Sequence, residues 1–292
     1  MLPLSSVKVV EIGQNLAGPM AAEILAHLGA DVVKVERPEG DDARRWGPPF
    51  WKGVSPGFLA VNANKRSITV DLKDRQAVTW LTDFIGGADV LVQNLRPGAV
   101  VDLGLGAAAL TARYPRLVYC SIWAFGSTGP LKGKPGYEPM VQAFSGLMMM
   151  NGDEGGPPTR IGTSVLDYGT GMWAAIGALA GLVQREKTGR GCVVDASRFE
   201  TGLAWMKGHF ASFRASASCP SATGRGATAS SRSRASRRRP GPSSSRRATT
   251  GSSPSSPGCS VIPSGPGTRA TRATRRAWLT RTSCSGRSPR LS

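Results

Sequence analysis

The sequence predicts an α/β fold, a Rossmann-like doubly wound parallel sheet, and three observations carry that expectation. Val7–Ile12 (VKVVEI) and Asp31–Glu36 (DVVKVE) are short β-branched runs. Between them Met20, Ile24, Leu25 and Leu28 recur at helical spacing. The same strand–helix–strand pattern then repeats along the chain, and two strands joined by a helix pair in parallel.

The first run ends at Gly13, Gly18-Pro19 opens the helix, and Gly29 closes it before the second strand. KRSITVDL (65–72) reads as a third strand, Asp74 as the cap of the helix RQAVTWLTDFIGG, and ADVLVQNL (88–95) as a fourth strand. A Pro97-Gly98 turn, a helix over Ala107–Arg113 and the strand RLVYCSIWAF follow. From Gly126 a glycine- and proline-rich loop leads to MVQAFSGLMMM, read as helical. Thr170–Glu186 is nearly all apolar and is expected to be a buried helix; CVVDAS is one more strand and Arg198–Arg214 one more helix.

Composition divides the chain at about residue 214. Residues 1–214 hold 22 Lys and Arg against 19 Asp and Glu, enough length for one sizeable α/β domain. Residues 215–292 contain 15 Arg and 20 Ser, no acid, no lysine and only five large apolar side chains, and they account for most of the net charge of +18. Such a segment buries too little apolar surface to offset ordering entropy, so it is expected to be disordered. Out-of-frame translation of GC-rich DNA gives this composition, and that is the preferred explanation; the alternative is an Arg/Ser-rich nucleic-acid-binding segment around Ser231–Pro240. Because the basicity sits in this block, nucleic acid is not an expected partner of the enzyme-like part. Met1–Leu4 does not resemble a secretion signal, no run of 18 apolar residues occurs, and the five cysteines form no C-x-x-C pair. A soluble, cytoplasmic protein is expected, with no membrane partner and no metal site, and with Cys120 and Cys192 as small buried side chains.

The candidate chemistry lies between strands. Gly13–Gly18 (GQNLAG) is neither a dinucleotide fingerprint nor a P-loop, and Gly169-x-Gly171-x-x-Ala174 comes too late in the chain, so it reads as close helix packing. Glu36-Arg37 ends the second strand, where a carboxylate suits a ribose hydroxyl and an adjacent Arg suits a phosphorylated ribose; a solvated surface Arg is the competing reading. Lys65, Arg66, Lys73 and Arg96 border later strands and together point to a polyphosphate partner. Asp167 precedes the buried helix, with Gly169 and Gly171 leaving room for a bulky group. It reads as that helix's N-cap and as a carboxylate nucleophile, two readings that do not exclude each other because the helix dipole keeps the carboxylate ionised.

The segments NLAGPMAAEILAHLGADVVKVERPEGDDAR, NANKRSITVDLK, NLRPGAV, RLVYCSI-x-AFGSTGP, PGYEPMVQAFSG and SVLDYGTGMWAAIGALAGL resemble the class III CoA-transferases, from about Val7 to Arg214. That resemblance implies the large domain of an interlocked homodimer, an Asp167 nucleophile, and transfer of coenzyme A from an acyl-CoA to a carboxylic acid through an aspartyl anhydride and an aspartyl-CoA thioester. Coenzyme A is then substrate, and no permanently bound cofactor is implied. Its contacts map onto Leu16, Ala17, Arg37, Val70, Lys73, Asn94, Leu95 and Tyr137, whereas Asp102 stands where many relatives carry Arg. The alternative within the superfamily is proton transfer of the α-methylacyl-CoA racemase type, which resembles this chain but needs His where Tyr137 stands. Relatives continue well beyond the point where the resemblance stops, including a glycine-rich loop that shields the intermediates. Residues 1–292 alone are therefore expected to show little transferase activity and to leave aggregation-prone apolar surface.

Overall fold

β-Branched side chains fill a pleated surface well, and the runs singled out above become β1 (Lys8–Ile12), β2 (Asp31–Glu36), β3 (Lys65–Thr69), β4 (Val90–Gln93), β5 (Val118–Trp123) and β6 (Val193–Ser197). They form one all-parallel sheet in the order β3-β2-β1-β4-β5-β6. The computed structural model describes residues 1–217. Expectations for the Arg/Ser-rich segment from residue 218 onward lie outside the described residues. Chain order reverses between β1 and β4, and open parallel sheets place their ligand crevice beyond the carboxyl ends of the strands at such a switch point.

Alternation along each strand builds two cores. Val9, Val32, Val90, Val118 and Cys120 face α1 (Ala17–His27) and α7 (Val165–Thr188). Val10, Ile12, Val35, Leu91 and Tyr119 face the other way, onto α3 (Arg75–Gly86), the short α4 (Ala99–Asp102) and α5 (Ala107–Arg113). A third cluster joins Phe125, Val141, Leu147, Leu166 and Met206, beyond the carboxyl end of β5. Burial raises the Cys120 thiol well above its ordinary pKa, as does the neighbouring Cys192 to a lesser degree, so the small-side-chain reading of these cysteines holds.

The contact between α1 and α7 depends on small residues: Ala17, Ala21 and Ala22 meet Ala174, Ala175 and Ala178. A β-carbon on Gly171 would lie 2.8 Å from Met20 and 2.9 Å from the Ala17 carbonyl oxygen. On the sheet side, a β-carbon on Gly177 would lie 2.4 Å from Val194 Cγ1. Alanine gains about 1 kcal/mol over glycine in helix propensity, but the clash is with a β-branched side chain that has few rotamers to retreat into. Gly177→Ala is therefore expected to destabilise the fold by about 1–3 kcal/mol through overpacking. Urea unfolding checks this, and an unchanged or higher midpoint contradicts it.

Four elements differ from the sequence expectation. The buried helix begins at Val165, five residues before Thr170, because Leu166 already packs in the third core cluster. MVQAFSGLMMM divides into α6 (Glu138–Phe144) and a 3-10 turn (Leu147–Met150), with Gly146 at φ 80° between them. Arg198–Arg214 divides at Met206, whose buried side chain anchors the bend, into α8 (Arg198–Trp205) and α9 (Lys207–Ser216). β3 stops at Thr69, since its Asp71 side chain turns back to accept from the Lys73 backbone N–H. No helix among the described residues is long and apolar enough to cross a membrane.

Candidate active site at the carboxyl edge of the sheet

The loop after β1 is held by buried charge. Glu11 and Lys34 stand in register on neighbouring strands, and Lys34 Nζ lies 2.9 Å from Glu11 Oε1, 2.8 Å from the Gly13 carbonyl oxygen and 2.9 Å from Asp41 Oδ2. Lys65 Nζ reaches the other Glu11 oxygen at 2.7 Å and also donates to the carbonyls of Pro19 and Val61. Burial alone would lower both lysine pKa values. For Lys34 the charges of Glu11 and Asp41 outweigh it and the pKa rises, whereas for Lys65 burial prevails and the pKa falls. Asp41 Oδ1 accepts the Asn15 N–H, and the Asn94 amide pairs with both backbone groups of Gln14. These bonds fix the backbone leading into Leu16 and Ala17, where α1 starts with no side-chain cap.

β2 delivers Glu36 and Arg37 to the same edge. Both Glu36 oxygens are engaged: Arg44 donates two bonds of 2.7 Å, Ser67 Oγ one of 2.6 Å and the Asp41 N–H one of 3.0 Å. That leaves no carboxylate oxygen for a ribose hydroxyl, which removes the nicotinamide-dinucleotide reading of this position. Burial raises the Glu36 pKa, but these donors outweigh it and hold the carboxyl at about 2, below its ordinary 4.5. A depressed carboxyl contributes stability above pH 4.5 that is lost as pH falls through about 2. Glu36→Gln should accordingly reduce stability at pH 6 more than at pH 3, a difference that urea titrations at the two pH values measure. Arg37 is partly exposed, donates through Nε to the Gly40 carbonyl, and forms an ion pair with Asp42. Beside it lies a small cleft lined by Gly13, Gln14, Val35 and Asp41.

The remaining expected contacts follow the same edge. Val70, just beyond β3, is buried and its N–H bonds the Glu36 carbonyl; Lys73 is exposed. Asn94 and Leu95 follow β4, with the Leu95 N–H held by Gln93 Oε1. Tyr137 stands at the start of α6 with 81% of its surface exposed. Lys65 and Arg66 do not join them. Both open β3 instead of closing it, Lys65 is absorbed by the buried network, and Arg66 pairs with Asp31 at the start of β2. The polyphosphate reading therefore loses these two cations, while Arg37, Lys73 and Arg96 stay at the carboxyl side. Asp102 is exposed at the end of α4.

Asp167 is not the cap of α7. Ser164 holds that position, Asp167 lies within the first turn, and its carboxylate turns outward to Arg198, which donates from Nε to Oδ1 at 2.5 Å. The Asp167 side chain is 10% exposed and that of Arg198 14%. Oδ2 has no hydrogen-bond partner among the described residues. The role expected of a cap falls to Glu138, whose Oε1 accepts from the Leu166 N–H at 3.4 Å and whose Oε2 faces Arg160. Nor do Gly169 and Gly171 leave room for a ligand: Trp205 occupies the space over Gly169, where a β-carbon would lie 2.4 Å from its ring, and Met20 fills the space at Gly171. The close-packing reading of the Gly169–Ala174 motif thus stands. Arg198, missed in the sequence, follows β6 directly and brings a cation to Asp167 across 31 positions of sequence.

A model of CoA-transferase family III matches residues 4–242, past Arg214 where the resemblance read from the sequence stops. The chain belongs to this family. Succinyl-CoA:glutarate CoA-transferase from Mus musculus is 42% identical over 207 residues, covering 70% of this chain and 48% of that protein. Succinate–glutarate CoA-transferase from Agrobacterium fabrum is 39% identical over 200 residues, covering 66% of this chain and 50% of that protein. The chain thus spans about half the length of these relatives. Among solved structures, a CAIB/BAIF family protein from Brucella suis superposes with a TM-score of 0.73 at 37% identity, covering 76% of this chain and 60% of that one. A hypothetical protein from Mycobacterium tuberculosis gives 0.69 at 33%, covering 75% and 61%. The six-stranded parallel sheet therefore belongs to the family fold.

Proposed function

We propose that this chain carries the nucleophile and the coenzyme A anchor of an enzyme that moves coenzyme A from an acyl-CoA to a carboxylic acid. The observation that carries the reading is Asp167, held through Oδ1 by Arg198, with Oδ2 open at the carboxyl edge of the sheet. Oδ2 attacks the thioester carbonyl carbon, the C–S bond breaks, and CoA thiolate leaves behind an aspartyl anhydride. The thiolate then attacks the aspartyl carbonyl, releasing the donor acid as its carboxylate and forming an aspartyl-CoA thioester. An acceptor carboxylate reverses the two steps, and no net proton is consumed. Arg37, the backbone around Leu16–Ala17, Val70, Lys73, Asn94–Leu95 and Tyr137 are the groups proposed to hold coenzyme A. The donor and acceptor acids are proposed to be small carboxylates, in keeping with relatives named for succinate and glutarate, and the working unit a homodimer. Tyr137 in place of an imidazole favours transfer over the proton-transfer alternative.

A single-turnover trap tests this. The chain, completed with the part of its relatives' length that it lacks, is incubated with succinyl-CoA, reduced with borohydride and digested, and the peptide containing residue 167 is analysed by mass spectrometry. Conversion of the Asp167 carboxyl to the alcohol is expected; label on another residue, or none, overturns the proposal.

A further inference from the structure

Arg198 offers more than one bond can use. Its Nε is engaged with Asp167, yet Nη1 and Nη2 have no partner among the described residues, and the side chain is largely withdrawn from water. A guanidinium carries five donors in a planar fork suited to a carboxylate. This fork opens beside the oxygen proposed to react.

Charge accounting gives the fork a use. The inference rests on the Asp167 reading above. With Asp167 free, its negative charge balances Arg198. Once Asp167 is esterified, as anhydride or as CoA thioester, that charge is gone and a partly buried guanidinium is left unpaired, which is costly in a site of low polarity. When the thiolate then converts the anhydride to the thioester, a carboxylate appears next to the guanidinium: the released donor acid, followed by the incoming acceptor. We infer that Arg198 is the substrate-carboxylate site of this enzyme, a counter-ion that passes from Asp167 to the acid when Asp167 is acylated and returns when it is freed. The side chain then holds the acceptor beside the thioester it must attack. It also keeps the acid from occupying the site while Asp167 is still ionised, because the Arg198 charge is already balanced.

Discharge of the pre-formed aspartyl-CoA thioester tests the assignment. The thioester is made with succinyl-CoA, separated from free acid, and discharged either by glutarate or by hydroxylamine, a neutral nucleophile that needs no counter-ion. In Arg198→Leu and Arg198→Gln the glutarate concentration for half-maximal discharge should rise at least tenfold, with the hydroxylamine rate within about twofold of wild type. Arg198→Lys should recover part of the glutarate affinity. Glutarate dependence unchanged in the two neutral variants overturns the inference, and so does an equal loss toward both nucleophiles, which marks a merely structural residue. If Leu disrupts folding, as circular dichroism reports, the Gln variant decides. Absence of any thioester at position 167 in wild type would instead sink the proposed nucleophile, so the two failures are distinct.

Discussion

Asp167→Asn is expected to abolish borohydride-trappable labelling, lowering the rate of covalent intermediate formation by about a thousandfold or more, the scale on which enzymes lose activity with their nucleophile. An amide oxygen has the same reach as Oδ2 but lacks the charge and electron density to attack a thioester at useful rates. The substitution is conservative for the fold. The amide oxygen can still accept the Arg198 Nε bond, and α7 keeps its start, since the N-terminal N–H of Leu166 is met by Glu138 and not by Asp167. Coenzyme A affinity measured by calorimetry should stay within about twofold, because none of the groups proposed to hold coenzyme A is hydrogen-bonded to Asp167. Undiminished labelling in this variant contradicts the mechanism; lost labelling with lost binding points to damage elsewhere.

Lys34→Met carries the second large effect, on stability. Lys34 is 1% exposed and serves Glu11, Asp41 and the Gly13 carbonyl together. Glu11 would keep Lys65 as partner, but Asp41 Oδ2, 1% exposed, would lose the ammonium 2.9 Å away. Removing one member of a buried ion pair costs about 3–5 kcal/mol because the other charge remains. The retained Lys65 argues for the lower part of that range, still a large share of the roughly 5–15 kcal/mol typical of a folded protein. Urea unfolding measures it, and adding Asp41→Asn to the same chain should restore part of the loss by removing the orphaned charge. A shift below about 1 kcal/mol would mean that water reaches this network.

The strands and the two-faced core were legible because the parallel sheet writes itself as β-branched runs: Val9, Val10, Val32, Val33 and Val92 need nothing distant to explain them. Asp167 was visible as an acid placed before an apolar helix. Its counter-ion was not, since no local pattern marks Arg198, and only the return of the chain through β6 brings the two together. The buried network was half visible. Glu11 and Lys34 interrupt strands that should be apolar on both faces, and their registered positions would have paired them had the strand order been assumed. Asp41 could not be found this way, because it comes from a loop whose path depends on Glu36 and Arg44. Lys65 and Arg66 misled for a related reason: charge at a strand border carries no label saying which border faces the ligand.

Arg37 follows β2 and Arg198 follows β6, and the sheet order puts β1, β4 and β5 between them. Four interstrand steps of about 4.8 Å make a span of roughly 19 Å. With coenzyme A gripped at Arg37 and Asp167 reacting, as proposed, the edge becomes a ruler laid across the strands. A carrier tethered at one end can present its reactive carbon at the other only when its arm is stretched out, so grip and reaction are measured off against each other by the width of the sheet. Thioesters built on a clipped arm would still meet the reacting oxygen, but as untethered visitors.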